Sequence, residues 1–227
     1  MLIENTKEKE KYFELIKQCF LFQYVDEETI IKILSDERLK YAVFEKNNCI
    51  YSYKSFEKSL GIILKGKISV NKYKENGEVL INYLKTGNAF GGAAVFSKSE
   101  RYIAELRAET KCVILFVSDE VLKDMFRISE KTMLNYMTYL SDSLVFLNKR
   151  LDIFSAGNAE ERIKEYIRIN AAPNGEGIYE LTIQSYSRLA EYLSIGRASL
   201  YRILDDFKAQ GLIDKSGKKI YIKGELK

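Results

Sequence analysis

The sequence predicts an α+β chain in three parts: an N-terminal double-stranded β-helix (jelly roll) with flanking helices, one long helix, and a C-terminal winged helix-turn-helix. Three observations predict it. Short apolar runs punctuated by glycine fill the first half of the chain. Apolar residues then recur at alternating steps of four and three. Two amphipathic stretches joined by a short turn follow, with a basic hairpin behind them. The expected boundaries are 1–128, 129–155 and 156–227.

Tyr12, Phe13, Leu15 and Ile16, and then Ile30, Ile31, Ile33 and Leu34, repeat at helical spacing, so the chain opens with helices. Strands are expected at 39–44, 49–53, 60–64, 67–73, 79–84, 103–108 and 112–117. Glycine separates them at Gly61, Gly66, Gly77, Gly87 and the pair Gly91-Gly92. Asn76-Gly77 signals a hairpin, because both central residues of that turn type need positive φ. Many short antiparallel strands with turns at this frequency make a barrel or a jelly-roll sandwich.

Met133, Met137, Leu140, Leu144, Leu147, Leu151 and Phe154 form an a/d seam through three heptads. A lone helix gains little from such a seam until it is covered, so a second copy is the expected cover and the chain a homodimer. The alternative is a seam packed on the strand domain of its own chain; Tyr136, Tyr139, Phe146 and Ile153 offer a second apolar stripe for partial packing of that kind. Ser155-Ala156-Gly157-Asn158 interrupts the helix and Ala159 to Ile163 restarts one, which marks a hinge.

Pro173, the only proline, breaks the chain before its last unit. There Leu189, Ala190 and Leu193 form the inner face of a first helix, Ile195 plugs the turn, and Leu200, Ile203 and Leu204 line the second. Arg197, Ala198, Ser199, Tyr201 and Arg202 are left facing outward, a polar set suited to base edges and phosphates in the major groove of double-stranded DNA. Lys215, Lys218 and Lys219 in the following hairpin wing are phosphate candidates. Thr182, Gln184 and Ser185 at the start of the first helix are candidates for the same backbone. The alternative is a C-terminal unit that binds protein instead of DNA.

With 227 residues, 46% apolar and 30% charged, the chain has room for two domains of an ordinary soluble protein. A net charge of +4 is compatible with a local nucleic-acid patch without arguing for one. No apolar run approaches the ~20 residues of a membrane span, and the first residues lack a signal-peptide layout, so a cytoplasmic location is expected. Cys19, Cys49 and Cys112 are odd in number and far apart, which fits reduced thiols, with a redox pair as the alternative. The absence of histidine removes His-based catalysis, His-ligated haem and the usual His-containing zinc sites. No nucleophile, base and oxyanion set is present, and 87–92 lacks the Gly-Lys-Ser/Thr ending of a phosphate loop. Neither an enzyme, a cofactor nor a metal site is expected.

This order of parts resembles the Crp/Fnr superfamily of bacterial transcription regulators across nearly the whole chain. Leu64 to Val70 looks like the family's roll hairpin, and Gly77 to Gly91 like the approach to its effector pocket. Arg197 and Arg202 fall where the family's recognition helix carries two base-reading arginines. The resemblance implies a cyclic-nucleotide-binding-like first domain and a homodimer on an inverted-repeat operator. It also implies a small effector that shifts packing on the seam and reorients the recognition helices about the hinge near Gly157, with RNA polymerase as a further partner.

Two departures qualify it. Cyclic-nucleotide-binding members begin the pocket helix with Gly-Glu and end the segment with Arg, Ser or Thr, and Ala; here stand Gly91-Gly92 and Tyr102-Ile103-Ala104. Arg101 is one residue from the clamp position, and on a strand that shift turns a side chain to the opposite face unless a bulge intervenes. Each lost charged hydrogen bond is worth roughly 1.5–3 kcal/mol, so cyclic AMP is not the expected effector. Gly91, Gly92, Ala93, Ala94, Tyr102 and Ile103, facing Leu147 and Asn148, would line a less polar pocket; the alternative is a pocket filled by its own side chains. The second departure is Ala198 where the family has Glu, which exchanges a cytosine-amino acceptor for a methyl able to touch thymine.

Overall fold

The computed structural model describes residues 2, 10–74, 77–99, 101–174, 178–183 and 185–224. They form two compact units, Met1–Ser141 and Asp142–Lys227.

In the first unit α1 (Phe13–Lys17), a 3-10 turn (Phe20–Phe22) and α2 (Glu27–Leu34) precede the strands. Asp26 caps α2, its carboxylate accepting the Thr29 N–H at 2.9 Å. One antiparallel sheet has the order β1 (Lys40–Phe44), β8 (Cys112–Ser118), β3 (Ser59–Lys65), β6 (Ala89–Phe90). The other has β2 (Cys49–Tyr51), β7 (Glu105–Ala108), β4 (Lys67–Lys74), β5 (Gly77–Lys85). This is the expected jelly-roll sandwich, and β6 is the strand too short to show in the sequence pattern. The turn differs from expectation: Lys74 pairs with Gly77, so Gly77 already lies in β5, and Asn76 falls outside the described residues.

The central strands β3 and β8 are apolar on both faces because both are covered. Leu60, Ile62, Leu64, Val113, Leu115 and Val117 alternate toward the helices, meeting Ile16, Ile30, Leu122 and Met125. Ile63, Ile114 and Phe116 point the other way into a second cluster with Ile68, Leu106 and Ala108 of the opposite sheet. Gly61 is what admits the Phe90 ring there, since a Cβ on it would lie 2.2 Å from that ring. Beyond β8, α4 (Asp119–Ile128) is capped by Ser118, and α5 (Glu130–Ser155) begins.

The long helix α5 contributes to both cores. Tyr136 is buried in the first unit and Ile153 in the second. The second unit continues with α6 (Ala159–Asn170), β9 (Ala172–Pro173), β10 (Tyr179–Thr182), α7 (Tyr186–Leu193), α8 (Arg197–Ala209), β11 (Ile213–Ser216) and β12 (Lys219–Ile222). Its sheet runs β11-β12-β10-β9, so Pro173 sits in an edge strand, where its missing N–H is no loss. The sequence pattern does not announce β9 and β10; Thr182 is therefore a strand residue and not part of the helix start.

The interruption after α5 is a capped turn. Asn158 accepts the Glu161 N–H at 3.0 Å while Glu161 accepts the Gly157 N–H at 2.8 Å, a reciprocal capping box. Ile153 before it and Ile163 after it share one core. The turn near Gly157 thus lies inside the second unit, and the division between units falls upstream, at Ser141–Asp142.

Candidate nucleic-acid interface and effector pocket

Leu189, Ala190 and Leu193 of α7 and Leu200, Ile203, Leu204 and Phe207 of α8 are buried together. Ile195 is half-buried in the turn and its N–H donates to Ala190 at 3.0 Å. The opposite face of α8 exposes Arg197, Ala198, Tyr201 and Arg202, while Ser199 is half-buried and so less available than its position suggests. Arg202 lies 3.9 Å from Asp206, one turn on, an exposed pair of the kind that contributes little stability. Arg162 donates to the Leu193 carbonyl at 3.0 Å and fixes the end of α7.

The other candidate contacts are disposed unequally. Ser185 is the N-cap of α7, its hydroxyl accepting the Arg188 N–H at 3.2 Å. Thr182 is exposed at the end of β10, and Gln184 falls outside the described residues. Lys215 is paired with Asp205, and Lys219 with Glu180 at 2.9 Å, which raises the Lys219 pKa above its ordinary value. Lys218 in the wing turn is exposed and pairs with no carboxylate among the described residues. The wing is braced twice. Asp214 holds Lys208 at 3.0 Å and Lys223 at 3.2 Å, and these partners with the Lys215 N–H draw its carboxyl down to about 2. Tyr186, not anticipated from the sequence, donates its hydroxyl to the Gly217 carbonyl at 3.0 Å and packs at a tilt against Tyr201 of α8, ring centres 5.1 Å apart.

Along α5 the two apolar stripes separate. Met137, Leu144, Leu147, Leu151 and Phe154 are exposed, Leu144 and Leu151 by more than 60%; Met133 and Leu140 are half-buried. The second stripe does most of the packing within the chain, joined by Leu140 of the seam, while Phe146 stays half exposed. Tyr136 and Ile153 are buried, Tyr139 stacks on Phe20 at 4.2 Å, and Phe146 meets Tyr192 edge-on at 6.5 Å.

A pocket of about 290 Å³ lies at the short helix α3 (Gly92–Val95), which falls between α2 and α4 in the chain. Gly91, Ala93, Ala94, Ser97, Ser99, Arg101, Tyr102 and Ile103 line it. Gly91 has φ 79°, and a Cβ there would meet the Ser59 carbonyl at 2.4 Å. Gly92 is not in the lining. A Cβ on it would lie 2.7 Å from the Tyr139 ring, so the ring stands where a side chain at position 92 would begin. Tyr136 donates its hydroxyl to the Gly92 carbonyl at 2.6 Å. Leu147 and Asn148 belong to the other unit, where both are exposed.

Tyr102 turns inward and packs against Tyr51 at 5.1 Å and Phe56 at 5.4 Å. Burial pushes its hydroxyl up to about 12. With Phe90 and Phe116 these rings fill the roll interior, and the pocket lies outside them. Arg101 corrects the strand argument. Residues 101–104 lie outside any strand and β7 begins only at Glu105, so the alternation of faces does not apply and Arg101 lines the pocket. Ser97 and Ser99 also went unread, because a polar loop carries no periodicity to place them.

Cys19 and Cys112 are buried, Cys49 is exposed, and all three are free thiols. Among the described residues no group of acidic or cysteine side chains is arranged to hold a metal ion, and no helix is long and apolar enough to cross a membrane.

Residues 42–129 match the family model of the cyclic nucleotide-binding domain. The cAMP-activated global transcriptional regulator CRP of Pasteurella multocida is 23% identical over 175 residues, covering 73% of this chain and 81% of that protein. Among solved structures, the Thermus thermophilus catabolite activator protein covers 89% of this chain and 93% of its own, at 18% identity and a TM-score of 0.56. A CprK variant complexed with OCPA covers 82% and 87%, at 18% identity and a TM-score of 0.59.

Proposed function

We propose that this chain, which belongs to the Crp/Fnr family of regulators, acts as a homodimer that binds an inverted-repeat operator under the control of a small effector other than cyclic AMP. The observation that carries the DNA reading is α8: one face is buried in the winged unit while Arg197, Ala198, Tyr201 and Arg202 stand exposed on the other, beside a wing carrying Lys218. Homodimerisation is supported by the exposed seam on α5, whose companion stripe already serves the chain's own cores.

Two features of the pocket argue against cyclic AMP. Position 92 is a glycine covered by the Tyr139 ring, so no ribose-holding carboxylate stands there, and position 102 carries an inward-facing tyrosine, which leaves Arg101, one residue earlier, as the lone guanidinium in the lining. That a neighbour of the same fold is complexed with OCPA is consistent with a fold that accepts other effectors. Coupling would run through α3: its Gly92 carbonyl is held by Tyr136 on α5, so a ligand that shifts α3 changes a contact of the dimer helix. RNA polymerase is a further partner that the family membership supports.

Duplex titration tests the reading. Affinity for a selected operator is expected to fall steeply as salt rises, and Arg197→Ala or Arg202→Ala to cost about 1–3 kcal/mol while relaxing one base position each. A uniform loss across all sequences would make that residue a phosphate contact. A C-terminal unit that binds protein instead would give no salt-dependent duplex affinity.

A further inference from the structure

Resting on the effector reading of this pocket, we propose that it takes a small organic carboxylate, with the Arg101 guanidinium as counter-ion and the Ser97 hydroxyl as second donor. Arg101 lines the pocket and pairs with no carboxylate among the described residues. Its backbone is fixed from both sides by Ser99, whose hydroxyl donates to the Arg101 carbonyl at 3.0 Å and accepts the Arg101 N–H at 3.2 Å. Ser97 accepts the Ser99 N–H at 3.0 Å, which leaves its hydroxyl hydrogen to donate.

The rest of the lining is apolar: Ala93, Ala94, the inward-packed Tyr102 and Ile103, which is 73% exposed. A ligand with one charged end and an apolar body matches that division. Size and charge narrow it further. About 290 Å³ lies at the lower edge of the ~300–1,000 Å³ of small-molecule sites, and the aromatic filling behind Tyr102 prevents deeper entry. One guanidinium balances one negative charge, whereas a phosphate monoester carries about 1.5–2 at neutral pH and finds no second cation in the lining.

The test is calorimetric titration of the full chain with benzoate, its uncharged analogue benzamide, and phenyl phosphate. Benzoate is expected to bind roughly tenfold or more tighter than either of the others. Arg101→Gln should remove that advantage and leave benzamide unchanged, Ser97→Ala should reduce it in part, and Lys98→Gln, outside the lining, should do nothing. Arg101 is exposed, so its variant is expected to unfold at the same temperature as the parent. Equal binding of benzoate and benzamide, undiminished benzoate binding by Arg101→Gln, a preference for phenyl phosphate, or no binding of benzoate at about 10 mM overturns the proposal. The titration needs no DNA. Failure here with operator binding intact sinks the carboxylate alone, and carboxylate binding without operator binding sinks the regulator reading.

Discussion

A single ring decides what position 92 can carry. Tyr139 occupies the space a side chain on Gly92 would need, so Gly92→Ala is expected to destabilise the chain by about 1–3 kcal/mol in denaturant unfolding. Tyr139→Ala should make the second substitution nearly free in a double-mutant cycle. The replacement of Gly-Glu by Gly-Gly is plain in the sequence, but its cause is not, because the ring arrives from a distant helix. Arg101 failed to declare itself for a different reason. Alternation assigns faces only where a strand exists, and 101–104 belong to none. Cysteines obey burial: the Cys19 thiol is pushed up to about 11 and so holds less thiolate at neutral pH than an ordinary cysteine. Iodoacetamide should therefore label the exposed Cys49 first, with Cys19 and Cys112 reacting only on unfolding; equal labelling of all three in the folded chain would contradict this.

At the scale of elements, α5 shows what periodicity can carry. Its heptad seam was readable residue by residue, and so was the second stripe; what needed coordinates was which stripe the chain uses for itself. Tyr136 and Ile153 are buried while Leu144, Leu147 and Leu151 are exposed. Leu147→Glu is accordingly expected to give monomers in sedimentation equilibrium with little loss of secondary structure by circular dichroism, and a monomeric parent chain would contradict the dimer. The seven longer strands of the roll were legible because their apolar runs are bounded by glycine and turns. The two-residue β6 and β9 have no length in which to show a period, and β10 was absorbed into the expected helix start. The wing is positioned by Tyr186, which joins Gly217 to the neighbouring Tyr201 ring of α8. Tyr186→Phe should loosen the wing, lower the salt dependence of duplex binding by about one phosphate contact and leave base preference unchanged. A changed base preference with the salt slope intact would make Tyr186 a reader instead.

For the whole molecule, the order of parts was the strongest signal in the sequence, since each motif alone fits many proteins and their succession fits few. A sandwich with both faces of its central strands covered, a helix serving two cores, and a winged unit with an exposed arginine-bearing face follow one another as the sequence leads one to expect. The connection after α5 lies within the second unit, with a capped turn and a shared core across it. Sequence shows a break in periodicity but not whether the two sides bury apolar residues together.

The central claim, that two copies present their α8 helices to successive turns of one duplex, is tested most directly by selecting bound fragments from random duplex DNA with the purified chain. Enriched inverted repeats with half-sites about one helical turn apart, each holding two chains, are the expected result. Fragments with no symmetry, or one chain per site, would contradict it.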